Sequence, residues 1–205
     1  MSREVFLIVG LGNPGAEYAH TRHNAGFEAL EKLAGRYGVT LGRKMLQGVL
    51  AETLQGDRKI VLCEPQTYMN ASGECVGKLL RWYHCEPDHL MVIYDDIDLP
   101  PGRVRVRKSG GPGTHNGMRS IVEALGRQDF PRIRIGTGDR PAGWDLADWV
   151  LSRPGADQQP AMEEAFSLAA ETAADWAENG IDSAMRLGNS RQEKAPKADS
   201  ERKPE

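Results

Sequence analysis

The stretch that decides the fold is Val5-Phe6-Leu7-Ile8-Val9, an apolar run that leads directly into Gly10-Leu11-Gly12-Asn13-Pro14-Gly15. This glycine turn is soon followed by Thr21-Arg22-His23-Asn24-Ala25-Gly26. In open α/β sheets, ligands bind beyond the carboxyl ends of the strands. A neutral imidazole at such a position is suited to moving protons near pH 7. The stretch therefore predicts a central strand with a reaction centre at its carboxyl end.

Outside this stretch, short apolar runs alternate with segments whose apolar residues recur at helical spacing. We predict strands over 5–9, 49–54, 60–63, 90–94, 103–107 and 133–135, and helices over 27–37, 76–83, 121–125, 162–178 and 182–187. This alternation favours an α/β fold. The adjacent runs 49–54 and 60–63 indicate a hairpin. We therefore expect a single domain with a twisted, mixed and mostly parallel sheet that has helices on both faces.

Length and composition limit the kind of protein that this chain forms. Its 205 residues suffice for one domain with a proper core, which we place at 1–189. The remaining segment, 190–205, is charged and almost free of apolar residues, so we expect a disordered tail. No apolar stretch approaches the roughly 20 residues of a membrane span, and no signal-peptide layout is present. The chain has only three cysteines, which argues against disulfides and agrees with a reducing compartment. We therefore expect a cytoplasmic protein without a membrane partner.

Basic residues are concentrated in one region, although the formal net charge is only -3. Between residues 103 and 134 there are eight lysines and arginines and only two acidic residues. Over 103–107 arginine alternates with valine, so the arginines share one face of the predicted strand. Such a face can bind a phosphate backbone. It fits equally well a solvent-facing edge strand whose charge prevents aggregation.

Two polar segments follow other predicted strands. In Pro65-Gln66-Thr67-Tyr68-Met69-Asn70, the Asn70 side chain is either a helix N-cap or an amide that contacts a ligand. The run Asp95-Asp96-Ile97-Asp98 has three readings: a divalent metal site, a carboxylate that orients a histidine, or a loop of solvated acids.

A glycine-rich segment, 109–117, enters the helix predicted over 121–125. Its backbone amides can bind a phosphate, but it lacks the Gly-Lys-Ser/Thr ending of a nucleotide P-loop, and a mobile lid is the alternative. Within it, His115 is either structural or in contact with a substrate. Gly10, Gly12 and Gly15 also satisfy a dinucleotide-binding pattern, but Asn13-Pro14 interrupts the turn and no convincing apolar helix follows.

Taken together, five motifs in order closely resemble the bacterial-type peptidyl-tRNA hydrolase family. The motifs are the segments 9–15, 21–26, 65–70, 95–100 and 113–117, and the resemblance runs from residue 7 to about residue 187. It implies a monomeric α/β enzyme, with no cofactor and no metal, that cleaves the ester joining a peptide to tRNA. The implied partner is peptidyl-tRNA, contacted at the acceptor stem, the 3′ end and the peptide backbone.

The resemblance also implies roles for individual positions. His23 matches the catalytic base, Asp95 the carboxylate that supports it, and Asn13 the residue that helps to distinguish blocked from free aminoacyl ends. Substrate contacts are implied for Tyr18, Tyr68, Met69, Asn70, His115 and Asn116, and tRNA contacts for Arg107, Lys108 and Arg134. Pro112 departs from the family's pattern, in which this loop position is often glycine or histidine.

Elementary chemistry fits these roles independently. Ester hydrolysis needs an activated water, and neutral His23 can accept its proton while Asp95 holds the useful tautomer. Asn13 or Asn70 can donate to the developing oxyanion, and the residues alone leave that choice open. Three other classes also stay open at this stage: a tRNA-binding module without catalysis, a metal-dependent phosphodiesterase that uses Asp95, Asp96 and Asp98, and a nicotinamide oxidoreductase.

Overall fold

The structure is a computed structural model that describes residues 3–190. Its strands are β1 (Glu4–Gly10), β2 (Arg43–Met45), β3 (Gly48–Gln55), β4 (Arg58–Pro65), β5 (Leu90–Asp96), β6 (Val104–Arg107) and β7 (Arg132–Gly136). They form one seven-stranded sheet in the order β2-β3-β4-β1-β5-β7-β6. The four central strands pair in parallel, and the strands at both margins pair antiparallel. The predicted mixed α/β sheet and the hairpin of β3 and β4 are confirmed.

Helices cover both faces of this sheet. They are α1 (Ala25–Tyr37), α2 (Ser72–Tyr83), α3 (Asn116–Leu125), α4 (Leu146–Val150), α5 (Gln159–Asn179) and α6 (Ile181–Ser190). One core contains Ile8 of β1 and Leu30 of α1, and the other contains Leu7 of β1 and Leu79 of α2. Neighbouring residues of β1 thus enter opposite cores because side chains alternate along a strand. Burial on both faces explains why β1 is a continuous apolar run.

Some elements differ from the prediction. The strand predicted over 103–107 begins at Val104 and lies at the edge of the sheet. The short strand β2 was not predicted, because its residues are mostly exposed and charged and it forms an outer edge beside β3. The short helix α4 was also missed, since five residues carry little periodic signal.

The end of α6 is bound to the edge strand β6. The Asn189 amide accepts a hydrogen bond from the Val106 backbone N–H at 2.8 Å and donates one to the Val106 carbonyl at 3.3 Å. Helix α6 ends at Ser190, the first residue of the segment predicted as a tail. The rest of the predicted tail, 191–205, lies outside the described residues.

Two glycines let α1 sit directly on the ends of the central strands. A Cβ atom on Gly10 would lie 2.2 Å from the carbonyl oxygen of Gly26, and one on Gly26 would lie 2.3 Å from that of Ile93. Any side chain at either position would therefore separate the helix from the sheet. Because neither glycine has a side chain, the 3-10 turn Arg22–Asn24 can lie over the carboxyl edge of the sheet.

Two further expectations concern membranes and cysteines. Within residues 3–190, no helix combines the length and apolarity that crossing a membrane requires. Cys63, Cys75 and Cys85 are all buried, and none of the three forms a disulfide.

Candidate active site

Three neighbouring parallel strands end at one cavity of about 700 Å³. Asn13 follows β1, the segment 68–70 follows β4, and Asp95 is the second-to-last residue of β5. The cavity is also lined by the glycine-rich segment and by residues on and around α4. Because the carboxyl ends of parallel strands meet at one edge, motifs far apart in sequence converge here.

The central pair is His23 and Asp95. The His23 Nδ1 atom lies 2.8 Å from Oδ1 of Asp95, and the two residues are only 8% and 2% exposed. An ionised carboxylate only accepts hydrogen bonds, so Nδ1 carries the proton and Nε2 keeps its lone pair. Nε2 has no hydrogen-bond partner among residues 3–190, and His23 lines the cavity. The pair therefore presents a basic nitrogen at the edge of the cavity.

His115 approaches the same oxygen but is held differently. Its Nε2 atom lies 2.9 Å from Asp95 Oδ1, and its Nδ1 accepts the Met118 backbone N–H at 3.2 Å as the N-cap of α3. Since Nδ1 accepts, the proton of the neutral ring is on Nε2 and is donated to Asp95. Both ring nitrogens are used within the protein. Of the two roles that the sequence left open for His115, this geometry favours the structural one.

Electrostatics separate the two imidazoles further. Burial disfavours the charge on Asp95, but the two imidazoles outweigh burial and hold the pKa of Asp95 below its ordinary value. Burial also opposes protonation of His23, yet the charge and hydrogen bond of Asp95 prevail and raise its pKa. For His115 burial prevails over the attraction of Asp95, so its pKa is lowered. His115 thus stays neutral under conditions in which His23 titrates.

The Asn13 amide is fixed in one orientation. Its Oδ1 accepts the Met69 backbone N–H at 2.8 Å, which leaves its Nδ2 as the unshared donor among the described residues. The Asn24 side chain holds the Asn13 backbone through two hydrogen bonds of 2.9 and 3.0 Å. Asn70 also lines the cavity, but its side chain is exposed and has no such anchor within residues 3–190. Of the two candidate oxyanion donors, Asn13 is the preorganised one.

The structure distinguishes among the alternatives that the sequence left open for Asn70 and for the acidic run. Asn70 lies inside a 3-10 turn, and Ala71 stands at the start of α2. The Asp96 carboxylate is bonded to the Arg134 guanidinium and accepts the Asp98 backbone N–H at 2.9 Å. The three aspartates of the run therefore do not converge on one point, and Asp95 is the member that orients a histidine.

Within the described residues, only His23, Asp95 and His115 place potential metal ligands close together. The Met118 N–H makes Nδ1 of His115 an acceptor, so a neutral ring keeps its proton on Nε2. That nitrogen is then not available as a neutral metal ligand, because a ligating nitrogen must be unprotonated. The donor set fits a hydrogen-bonded triad better than a metal centre.

The predicted tRNA contacts are not equivalent. Arg107 is exposed at the end of β6 and lines the cavity. Arg134 also lines it, but its side chain is only 28% exposed and is paired with Asp96. Lys108 is exposed beside a separate depression that it shares with Arg127. Strand β6 lies at the edge of the sheet, and of its alternating arginines Arg107 is the exposed one that lines the cavity.

The predicted substrate contacts also divide into two groups. Tyr68, Met69 and Asn116 line the cavity, and Tyr68 is 61% exposed. Tyr18 packs edge-on against Tyr68 with ring centroids 6.4 Å apart, so it supports the rim of the cavity. Whether these side chains contact a substrate remains a prediction.

The glycine-rich segment is fastened by Arg132, one of the eight basic residues between positions 103 and 134. Arg132 is 1% exposed, and its guanidinium donates to the Gly110 carbonyl and, at 2.8 Å, to the Gln128 carbonyl. The segment is therefore tied to the sheet on one side of the cavity. The sequence signal for this role is the run Phe130-Pro131-Arg132-Ile133-Arg134-Ile135, in which an arginine interrupts an apolar strand.

Comparison with known proteins agrees with the five motifs. The family model described as Peptidyl-tRNA hydrolase matches residues 7–197. The peptidyl-tRNA hydrolase of Syntrophomonas wolfei subsp. wolfei is 45% identical over 183 residues, which cover 89% of this chain and 99% of the relative. That of Chloroflexus aggregans is 45% identical over 186 residues, covering 90% and 99%.

A solved structure extends the agreement to the fold. The crystal structure of peptidyl-tRNA hydrolase from Acinetobacter baumannii matches with a TM-score of 0.85 and 35% identity, covering 93% of this chain and 97% of that chain. The resemblance drawn from the motifs is confirmed over nearly the whole described chain. The chain belongs to the peptidyl-tRNA hydrolase family.

Proposed function

We propose that this chain hydrolyses the ester between tRNA and a peptide or N-blocked amino acid, releasing free tRNA for reuse in translation. Family membership supports the substrate class. One observation carries the mechanism: His23 donates through Nδ1 to Asp95 at 2.8 Å and leaves Nε2 unshared at the cavity. This is the arrangement that a general base needs.

In the proposed mechanism, Nε2 of His23 takes a proton from a water molecule whose oxygen attacks the ester carbonyl carbon. Asp95 stabilises the imidazolium that forms. The oxyanion of the tetrahedral intermediate accepts a hydrogen bond from Nδ2 of Asn13. The bond to the ribose oxygen then breaks, and the imidazolium returns its proton to that oxygen. General-base assistance of this kind contributes about 10²–10⁴-fold.

The rest of the cavity suits the two parts of the substrate. Met69 is a flexible apolar side chain that can pack against varied peptides. Arg107 and Arg134 also line the cavity, where they position phosphates of the acceptor stem and 3′ end. We propose that the enzyme needs no metal or cofactor, because side chains alone supply every step. We also propose that it works as a cytoplasmic monomer, which the resemblance to the family and the composition of the chain support.

The direct test is release of N-acetyl-aminoacyl groups from tRNA by the native protein, with excess chelator present. We expect multiple turnovers on the blocked substrate and little on the unblocked aminoacyl-tRNA. His20→Ala is the control, since this histidine is largely exposed and pairs with Glu28 away from the cavity. Binding of tRNA without cleavage would identify a module without catalysis. Loss of activity in chelator would identify a metal enzyme.

A substitution at Asn13 decides between the two amides. Asn13→Asp keeps the oxygen that accepts the Met69 N–H but removes the donor, so we expect kcat to fall by about 10²–10³. KM should change little, because the lost hydrogen bond forms in the transition state. The matched variant Asn70→Asp should cost less than tenfold. Equal losses in steady-state assays of both variants would contradict the assignment.

A further inference from the structure

Arg22, the residue before His23, is a buried cation whose hydrogen bonds all go to neutral groups. It is only 4% exposed. Its Nη1 atom donates to Ser152 Oγ and to the Arg153 carbonyl, both at 2.7 Å, and its Nη2 donates to Gln158 Oε1 at 2.9 Å. A guanidinium this deeply buried is not accessible to a phosphate backbone. The bonds instead connect it to one segment more than a hundred residues away in sequence.

The same segment is held at further points. The Arg22 guanidinium lies 3.6 Å from the centre of the Trp149 ring, and the Trp149 indole N–H donates to the Gly138 carbonyl at 2.9 Å. The Arg22 backbone N–H donates to the Ser152 carbonyl at 3.0 Å, and the Arg153 side chain donates to the Ala19 carbonyl at 3.2 Å. Residues 149–158 are thus fastened to the turn that carries His23.

This fastened segment includes one wall of the cavity. Leu146, Val150 and Leu151 line it from α4 and the residue after α4. With five residues, α4 is too short to be stable alone, so tertiary contacts must hold it in place. Trp149 stacks on Arg22, while Leu146 and Val150 of the same helix line the cavity. The base therefore lies in the 3-10 turn Arg22–Asn24, and this wall contacts the same turn.

We propose that Arg22 is a positioning residue that sets this wall, residues 145–151, at a defined distance from His23. In this proposal, the wall holds the acyl part of the substrate against the base. The expected change in KM rests on the proposed function, whereas the structural role of Arg22 does not. Arg22 does not touch the reacting atoms. Its loss should weaken substrate binding more than it slows the chemical step.

The main test is Arg22→Lys, which keeps the charge but loses the planar fork and the stacking on Trp149. We expect KM for N-acetyl-aminoacyl-tRNA to rise about tenfold, kcat to stay within threefold, and the acid limb of the kcat profile to stay in place. Amide hydrogen exchange over 145–158 should accelerate while that of α2 does not change. Arg36→Lys is the matched control, because Arg36 is an exposed arginine in the last turn of α1.

Ser152→Ala and Gln158→Ala keep the test decisive if Arg22→Lys fails to fold. Each removes one acceptor outside the cavity, and each should raise KM two- to threefold with faster exchange over 145–158. Unchanged exchange in the folded variants, or a fall in kcat without a rise in KM, would overturn the proposal. A native protein that does not cleave the ester would instead refute the proposed function, and hydrogen exchange would still test the role of Arg22.

Discussion

The starts of α1 and α3 each present a histidine to the same oxygen of Asp95, and the two histidines differ in their second nitrogen. In the turn before α1, His23 uses only Nδ1, at 2.8 Å from the carboxylate. At the start of α3, His115 uses Nε2 for Asp95 and Nδ1 for the Met118 N–H. Proximity to a carboxylate is therefore not sufficient to define a base. The nitrogen that the protein leaves unshared decides which ring can accept a proton.

The largest effect should come from His23→Ala. Removing the general base should lower kcat for blocked aminoacyl-tRNA by about 10³ with little change in KM. The measurement is single-turnover release at saturating enzyme, with circular dichroism to show that the variant is folded. Residual activity within tenfold of the native protein would mean that His115 or another group can serve as the base, and the comparison would fail.

Asp95→Asn should have the next largest effect, because it removes the charge that both histidines share. We expect kcat to fall by about 10²–10³, since the imidazolium of His23 is no longer stabilised. The carboxylate is also what raises the pKa of His23, so the acid limb of the residual activity should move to lower pH. A profile of kcat against pH that keeps its acid limb in place would contradict this coupling.

His115→Asn sharpens the comparison by separating the two bonds of this ring. Asparagine is a good N-cap, so its side chain can still accept the Met118 N–H. It is too short to replace the hydrogen bond that the His115 ring donates to Asp95. We expect a loss in kcat of about tenfold and a fall in the free energy of unfolding of about 1–3 kcal/mol, because the buried hydrogen bond from His115 to Asp95 is lost. Asp95 would then interact with His23 alone, so the acid limb should move to higher pH. A loss as large as that of His23→Ala would contradict the structural role.

A second buried carboxylate shows what burial does without such partners. Glu64, near the end of β4, is 8% exposed, and its Oε1 has no hydrogen-bond partner in the part of the chain that the structure describes. Burial, with repulsion from Glu31 and Glu28, raises its pKa to about 8. The folded state then holds a proton that the unfolded chain releases, so stability falls as pH rises from about 4.5 to 8.

Glu64→Gln should therefore stabilise the protein at pH 8.5 by about 1–3 kcal/mol and have little effect at pH 5. Urea unfolding at the two pH values measures the difference, and Glu123→Gln, at an exposed position of α3, is the control. The same gain at both pH values would show that packing, not ionisation, causes it.

The sequence predicted the features that depend on pattern. Alternating apolar runs indicated the sheet, and motifs at the ends of β1, β4 and β5 indicated where the cavity lies. The pairing of His23 with Asp95, which are 72 positions apart, was available only through the resemblance to a family.

The contacts of buried charged residues could not be predicted. Arg22 and Arg132 look like surface cations in the sequence, yet both are buried and donate to backbone carbonyls of distant segments, Arg153 and Gly110 respectively. Backbone carbonyls leave no trace in residue identity, so no spacing rule finds them. The orientation of the Asn13 amide was hidden for the same reason, since its partner is the Met69 backbone N–H.

The most direct measurement is a long-range ¹H–¹⁵N spectrum of the histidine rings, recorded from pH 5 to 9 and assigned with His23→Ala and His115→Asn. We predict opposite neutral tautomers, with the proton on Nδ1 of His23 and on Nε2 of His115. His23 should titrate above the ordinary histidine value, and His115 below it. A proton on Nδ1 of His115, or a His115 ring that titrates above His23, would contradict the assignment of His23 as the base.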